Sequence, residues 1–142
     1  MMQTTKTPTQ LTAIYPQQMI ATSQGIPYFF GISANTAGAT GLSMHLVEIP
    51  PGGKAEPHIH RGFETAIYVL AGRVETRYGE GLGEAVVNGA GSFLFIPPGV
   101  LHQPINLSNT QPALAVIARN NAQEQEEVVR YVQPGAGEQR QE

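Results

Sequence analysis

Apolar residues in this chain are gathered into short segments, several of which end at glycine or proline. Five of these segments are rich in β-branched and aromatic residues, which is typical of buried strands. They cover residues 26–32, 42–49, 65–72, 92–97 and 114–119. Residues 73–78 alternate instead, with Val74, Thr76 and Tyr78 on one side and three charged residues on the other. This period of two predicts a half-exposed strand.

Turn residues separate the predicted strands. Glycines at positions 79, 81 and 83 predict a turn, and Asn88-Gly89 predicts a second turn of the hairpin type. Residues 33–41, which are rich in Gly, Ala, Thr and Asn, are predicted to form a loop. With the less regular segments included, we expect about eight to ten short strands in an all-β barrel or sandwich.

The two ends of the chain are polar. We predict an N-terminal arm over residues 1–20, a barrel over 21–120 and a polar tail over 121–142. Within the tail, the segment EQEEVVRYV suits either a short helix or a strand, and its periodicity does not decide between them. A chain of 142 residues with no repeat and no linker fits a single domain.

Composition narrows the classes of partner. The formal net charge is −3 and no basic run occurs, so we expect no binding to nucleic acid. No apolar run approaches the roughly 20 residues of a membrane span, and the N-terminus lacks the apolar core of a secretory signal. We therefore expect a cytoplasmic protein. Because the chain contains no cysteine, any bound metal has to use imidazole and carboxylate ligands.

The chain contains four histidines, and three of them are candidates for such a site. His58 and His60 stand two apart, and on an extended chain their side chains point to the same face. Glu64 follows at the start of an apolar strand, where a buried carboxylate needs a partner. Taken singly, each of these residues, and His102 further along the chain, is more often structural or solvated than a ligand. His45 is interpreted as structural or surface.

The spacing of these residues resembles that of the cupin superfamily. Its first motif, G-x5-H-x-H-x3,4-E-x6-G, resembles the stretch that begins at Gly52 and continues through His58, His60 and Glu64. Its second motif, G-x5-P-x-G-x2-H-x3-N, is matched throughout by Gly91, Pro97, Gly99, His102 and Asn106. The resemblance implies a double-stranded β-helix, or jelly-roll, barrel. It also implies a divalent transition metal, Mn, Fe, Co, Ni or Zn, held in the barrel mouth by His58, His60, Glu64 and His102.

One spacing departs from the first motif. Seven residues, and not six, separate Glu64 from Gly72. If the strand keeps the family's register from Gly72, Thr65 takes the ligand position and Glu64 faces outward. If a bulge lies beside the site, Glu64 reaches the metal. We expect Glu64 to be the ligand, because a carboxylate is a better donor than a hydroxyl, and a three-histidine site remains the alternative.

Three functions are compatible with this pattern. The first is a small metal-dependent enzyme, such as a dioxygenase, decarboxylase or isomerase, acting on a small organic acid or phenol. The second is a metal-containing small-molecule-binding module without turnover, and the third is a structural cupin with a degenerate site. We also expect a homodimer, because the apolar segment IPYFFGI would be an edge strand that needs a cover.

Overall fold

The computed structural model describes residues 9–16, 20–21, 25–123 and 128–130 of the chain. These residues form two antiparallel sheets. The strands are β1 Ile20–Ala21, β2 Pro27–Ile32, β3 Ser43–Ile49, β4 His58–His60, β5 Thr65–Ala71, β6 Arg73–Tyr78, β7 Glu84–Gly89, β8 Phe93–Ile96, β9 His102–Asn106, β10 Ala113–Arg119 and β11 Val128–Arg130. The six-stranded sheet has the order β1-β2-β3-β10-β5-β8, and the five-stranded sheet has the order β11-β4-β9-β6-β7.

Alternation of side chains builds the core between the sheets. Every second residue of β3 and of β10 is buried, as expected for strands with one face turned inward. The buried apolar cluster comes mainly from these inward positions and comprises Ile26, Tyr28, Val47, Ile49, Ala55, Val74, Ala113, Ala115 and Ile117. The all-β jelly-roll prediction is confirmed, and each of the predicted strand segments contains a strand.

Two local predictions are wrong. Residues 33–41 are not entirely loop, because Ala34–Ala37 forms a short helix, α1, with Ser33 and Thr36 as a capping box. Asn88-Gly89 is not a hairpin turn, because both residues belong to β7 and Asn88 pairs with Val74. The chain turns one residue later and continues into β8, which belongs to the other sheet. The turn predicted from the glycines at 79–83 is confirmed and contains a short 3-10 helix, Glu80–Leu82.

The aromatic strand β2, which was expected to be an edge strand, is partly covered by β1. The first residues of β2 are paired with β1, through Ile20↔Tyr28 and Ala21↔Pro27, and beyond Tyr28 this edge has no further strand partner among the described residues. At the other end of the chain, Val128–Arg130 is a strand that pairs with β4. The rest of the predicted C-terminal tail beyond residue 123, and most of the predicted N-terminal arm, lie outside the described residues. No helix in the described part of the chain is long and apolar enough to cross a membrane.

Candidate metal centre

Three buried histidines meet at one end of the five-stranded sheet. His58 and His60 occupy alternate positions of β4, so both side chains face inward. His102 is the first residue of β9 and pairs directly with His58 across the two strands. The three residues are only 2–3% exposed. Antiparallel pairing therefore brings together residues that are more than 40 positions apart in the sequence.

Backbone carbonyls orient two of the rings. His58 Nδ1 lies 2.6 Å from the carbonyl oxygen of Glu56, and His102 Nδ1 lies 2.9 Å from that of Val100. A carbonyl only accepts, so each Nδ1 carries the hydrogen and each neutral ring keeps the lone pair on Nε2. A hydrogen bond from the nitrogen that does not bind the metal, here Nδ1, is how proteins fix the tautomer of metal-binding histidines.

The inner nitrogens are spaced as metal ligands are. His58 Nε2 lies 3.1 Å from His60 Nε2. Two imidazoles bound at about 2.1 Å, with an angle of about 100° at the metal, place their nitrogens about this far apart. One ligand atom from each of the three histidines lies within 4.8 Å of the others. The donor set thus suits a divalent transition metal, since imidazole binds Mn, Fe, Co, Ni and Zn.

Glu64 lies outside this group. Its side chain is exposed, and its backbone N–H donates to Asn120 Oδ1 at 2.8 Å. Thr65 is 1% exposed, and its Oγ1 lies 3.1 Å from His60 Nδ1. Among the described residues, the cluster that the geometry brings together therefore contains His58, His60 and His102.

The pairing of β5 explains this placement. From Thr65 to Val69 the register with β10 is unbroken, and the irregularity falls at Leu70, where Val69 pairs with Ala115 and Ala71 with Leu114. The irregularity thus falls at the far end of the strand and not beside the histidines. Regular alternation then turns Thr65 inward.

The remaining candidates have structural positions. His45 is buried on β3, away from the cluster, where its Nδ1 accepts a hydrogen bond from the Gly31 N–H at 2.9 Å. Asn106 is buried and donates to the carbonyls of Ile49, Pro50 and Gln111, so it holds loops together. Phe63 stacks on the His60 ring at a centroid distance of 5.1 Å and closes one side of the cluster.

A cavity and a groove adjoin the histidines. The cavity, of about 60 Å³, lies between the sheets and is bordered by His58 and His102. The groove, of about 530 Å³, opens to solvent between the edge strands β7 and β8 and is also bordered by His102. Thr76, Leu94 and Ile96 line both spaces, so they form with His102 the wall between them. A small molecule in either space lies next to the cluster.

Comparison with known families agrees with this architecture. The sequence model of the cupin domain matches residues 45–118, which is more than half of the chain and includes all three clustered histidines. The chain belongs to the cupin family. The cupin resemblance that the sequence motifs indicated is thereby confirmed.

Relatives of this cupin include plant and bacterial proteins. It is 35% identical over 104 residues to germin-like protein subfamily T member 3 of Arabidopsis thaliana, which covers 64% of this chain and 44% of that protein. A solved structure of oxalate oxidase in complex with glycolate is 26% identical, with a TM-score of 0.63, over 78% of this chain and 57% of that one. Oxalate decarboxylase from Bacillus subtilis shares the fold at 20% identity, with a TM-score of 0.66, over 80% of this chain and 29% of that one. This cupin thus spans less than half the length of its germin-like relative.

Proposed function

We propose that this cupin binds one divalent transition metal through Nε2 of His58, His60 and His102. The observation that carries the proposal is the convergence of three buried imidazoles, two of which have their outer nitrogens tied to backbone carbonyls. His58 Nε2 and His60 Nε2 lie 3.1 Å apart, and with the hydrogen of each ring on Nδ1 a cation between them would engage both lone pairs. Glu64 would become a fourth ligand only if residues 61–64 rearranged.

The proposed activity is metal-dependent chemistry on a small organic acid. When bound, the metal would supply Lewis acidity and open coordination positions for the acid. The apolar walls, including Phe63, Leu94 and Ile96, would leave the groove as the route by which water and the acid reach that position. The oxalate oxidase neighbour with bound glycolate supports this substrate class, and it makes oxygen-dependent oxidation the first reaction to test. Decarboxylation, which the sequence also left open, is the second. Phenols and isomerisation are the other options that the sequence left open.

The second candidate is a metal-containing binding module without turnover. It is favoured by the lack of a further acid or base at the cluster, because the two carboxylates nearest in sequence, those of Glu56 and Glu64, are exposed. A carboxylate held close to the metal would argue for proton transfer, and none is in the cluster among the described residues.

One assay separates the two candidates. The protein is loaded with Mn²⁺ or Fe²⁺ and supplied with oxalate, glycolate or catechol, while oxygen uptake and carbon dioxide release are recorded. Turnover of one acid, abolished in His60→Ala, supports the enzyme. Saturable binding of an acid without product supports the binding module. Neither binding nor turnover by metal-loaded protein would reject both.

We also propose that two copies pair through the outer face of the six-stranded sheet. Leu70, Phe93 and Phe95 on β5 and β8 are 48%, 78% and 57% exposed, and Met44 on β3 is 47% exposed. Near β2 and β3, Ile14 and Pro16 of the N-terminal segment line a small cavity against this face. The part formed by β5 and β8 has no such cover among the described residues, and an apolar face of this kind marks an interaction site. A symmetric dimer would bury it against itself.

A further inference from the structure

Apart from His58, His102 and Tyr28, the wall of the interior cavity contains two polar side chains, Thr76 and Asn88, among apolar ones. Thr76 on β6 is 4% exposed, and its hydroxyl has no hydrogen-bond partner among the described residues. Asn88 on β7 lines the same cavity, and its Oδ1 is buried and equally without a partner there. Leaving a buried polar group unpaired costs free energy, so a cavity that keeps two of them is suited to a polar ligand atom.

Strand register places these groups in successive layers below the histidines. On the inner face of the five-stranded sheet, His102 pairs with Tyr78 at the mouth, and Thr76 pairs with Pro104 one layer deeper. Asn88 pairs with Val74 in the next layer. Successive layers are two residues, or about 6.6 Å, apart along a strand. A ligand that starts at the histidines therefore meets Thr76 first and Asn88 second.

The hydrogen-bonding character of Asn88 is fixed by its neighbours. The Ser92 hydroxyl donates to the Gly89 carbonyl, so it accepts from Asn88 Nδ2 at 2.8 Å. With the amide nitrogen engaged, Oδ1 remains as an acceptor. The Thr76 hydroxyl can donate and accept. Together they suit a group that donates a hydrogen bond, such as a ligand hydroxyl.

The size of the cavity limits the ligand. Its volume of about 60 Å³ is well below the roughly 150 Å³ of an engineered cavity that takes up benzene. An aromatic ring is therefore too large for the space beside Thr76, whereas a short aliphatic chain fits. Its walls are otherwise made of side chains such as Val74, Leu94 and Ile117.

We propose that the ligand is a short-chain hydroxy acid, with its carboxylate at the histidine cluster and its hydroxyl bound by Thr76 in the interior cavity. This inference rests on the proposed function and narrows its substrate class from organic acids and phenols to aliphatic hydroxy acids. Thr76 is the residue that determines specificity, and Asn88 accepts from the same hydroxyl or from a water beside it.

Calorimetric titration with two matched acids tests the proposal. Zn²⁺-loaded protein is titrated with 3-hydroxypropionate and with propionate, which differ in the hydroxyl alone. Wild type should prefer the hydroxy acid, and Thr76→Val should reduce that preference about five- to tenfold, the scale of one hydrogen bond. Because Val keeps the shape and removes an unpaired hydroxyl, the melting temperature of ligand-free Thr76→Val should equal or exceed that of wild type.

Ser43→Ala is the matched control. The Ser43 hydroxyl is also buried without a partner among the described residues, but Ser43 does not line the cavity. This variant should keep the preference of wild type. Equal binding of the two acids by wild type, or an unchanged preference in Thr76→Val, would overturn the role of Thr76. Failure to take up metal or either acid would instead overturn the proposed function, and metal analysis of the same sample distinguishes the two failures.

Discussion

Thr65 and Glu64 are sequence neighbours with opposite environments. The Thr65 side chain is 1% exposed beside His60, whereas the Glu64 side chain faces solvent. When His60 Nε2 binds a metal, its Nδ1 carries the hydrogen and donates to the Thr65 hydroxyl. The hydroxyl thus does for His60 what backbone carbonyls do for His58 and His102.

This arrangement predicts the effect of two single substitutions. Thr65→Val should weaken metal binding about 10- to 100-fold, because His60 loses the acceptor that orients its ring. Glu64→Gln should leave the affinity within about twofold of wild type, since the Glu64 side chain is exposed and lies outside the cluster. Competitive metal titration with a chromophoric chelator measures both. The reverse pattern, with a large loss in Glu64→Gln, would place Glu64 in the ligand set.

Some features of the site can be predicted from the motif residues, and others cannot. His58 and His60 could be assigned to one face because side chains two residues apart on a strand point to the same side. The choice between Glu64 and Thr65 could not be made, because a bulge beside the histidines would exchange the two residues. Pairing with β10 puts the irregularity of β5 at Leu70 instead, and nothing in the local sequence indicates that. The carbonyls that orient His58 and His102 leave no side-chain signal at all.

Among the elements, two connections between the sheets contain a glycine with positive φ. At Gly72 the chain leaves β5 and enters β6 of the other sheet with φ +92°. A Cβ at this position would lie 3.0 Å from Ala113 Cα, so the backbone of β10 would have to shift by a few tenths of an ångström. Gly91, before β8, has a similar φ of +88° but open space around it.

A comparison of these glycines separates conformational strain from crowding. Gly91→Ala should cost about 1–2 kcal/mol of unfolding free energy, because only the positive φ is penalised. Gly72→Ala should cost about 3 kcal/mol or more, since a clash with β10 is added. Urea denaturation of the two variants measures the difference. Equal losses of unfolding free energy in the two variants would mean that β10 shifts to accommodate the added methyl group.

Element prediction succeeded where the period was clear and failed where tertiary pairing overrode a local signal. The alternation in residues 73–78 predicted β6 and its inward residues Val74 and Thr76. Asn88-Gly89 has the composition of a turn, yet continued pairing with β6 keeps it in a strand. The helix α1 was missed although Ser33 and Thr36 carry a capping signal, because four residues are too few to show a helical period.

At the scale of the whole molecule, the outer face of the six-stranded sheet predicts self-association. Phe93→Lys should raise the dimer dissociation constant at least tenfold, because it places a charge in an apolar interface. Val87→Lys is the matched control, since Val87 is 44% exposed on the other sheet. Light scattering across a micromolar concentration series measures both. Wild type that remains monomeric there, or equal effects of the two variants, would contradict pairing through this face. The cytoplasmic location stays a prediction of the sequence.

The central claim is that His58, His60 and His102 hold one metal ion. The most direct test is the metal content of the protein after incubation with Mn²⁺, Fe²⁺, Co²⁺, Ni²⁺ or Zn²⁺ and removal of free ions, measured by elemental analysis. We expect about one ion per chain in wild type and in His45→Gln, which changes the fourth histidine, and a loss of that ion in His60→Ala. Wild type that retains none of the five metals, or a folded His60→Ala variant that retains as much as wild type, would contradict the metal centre.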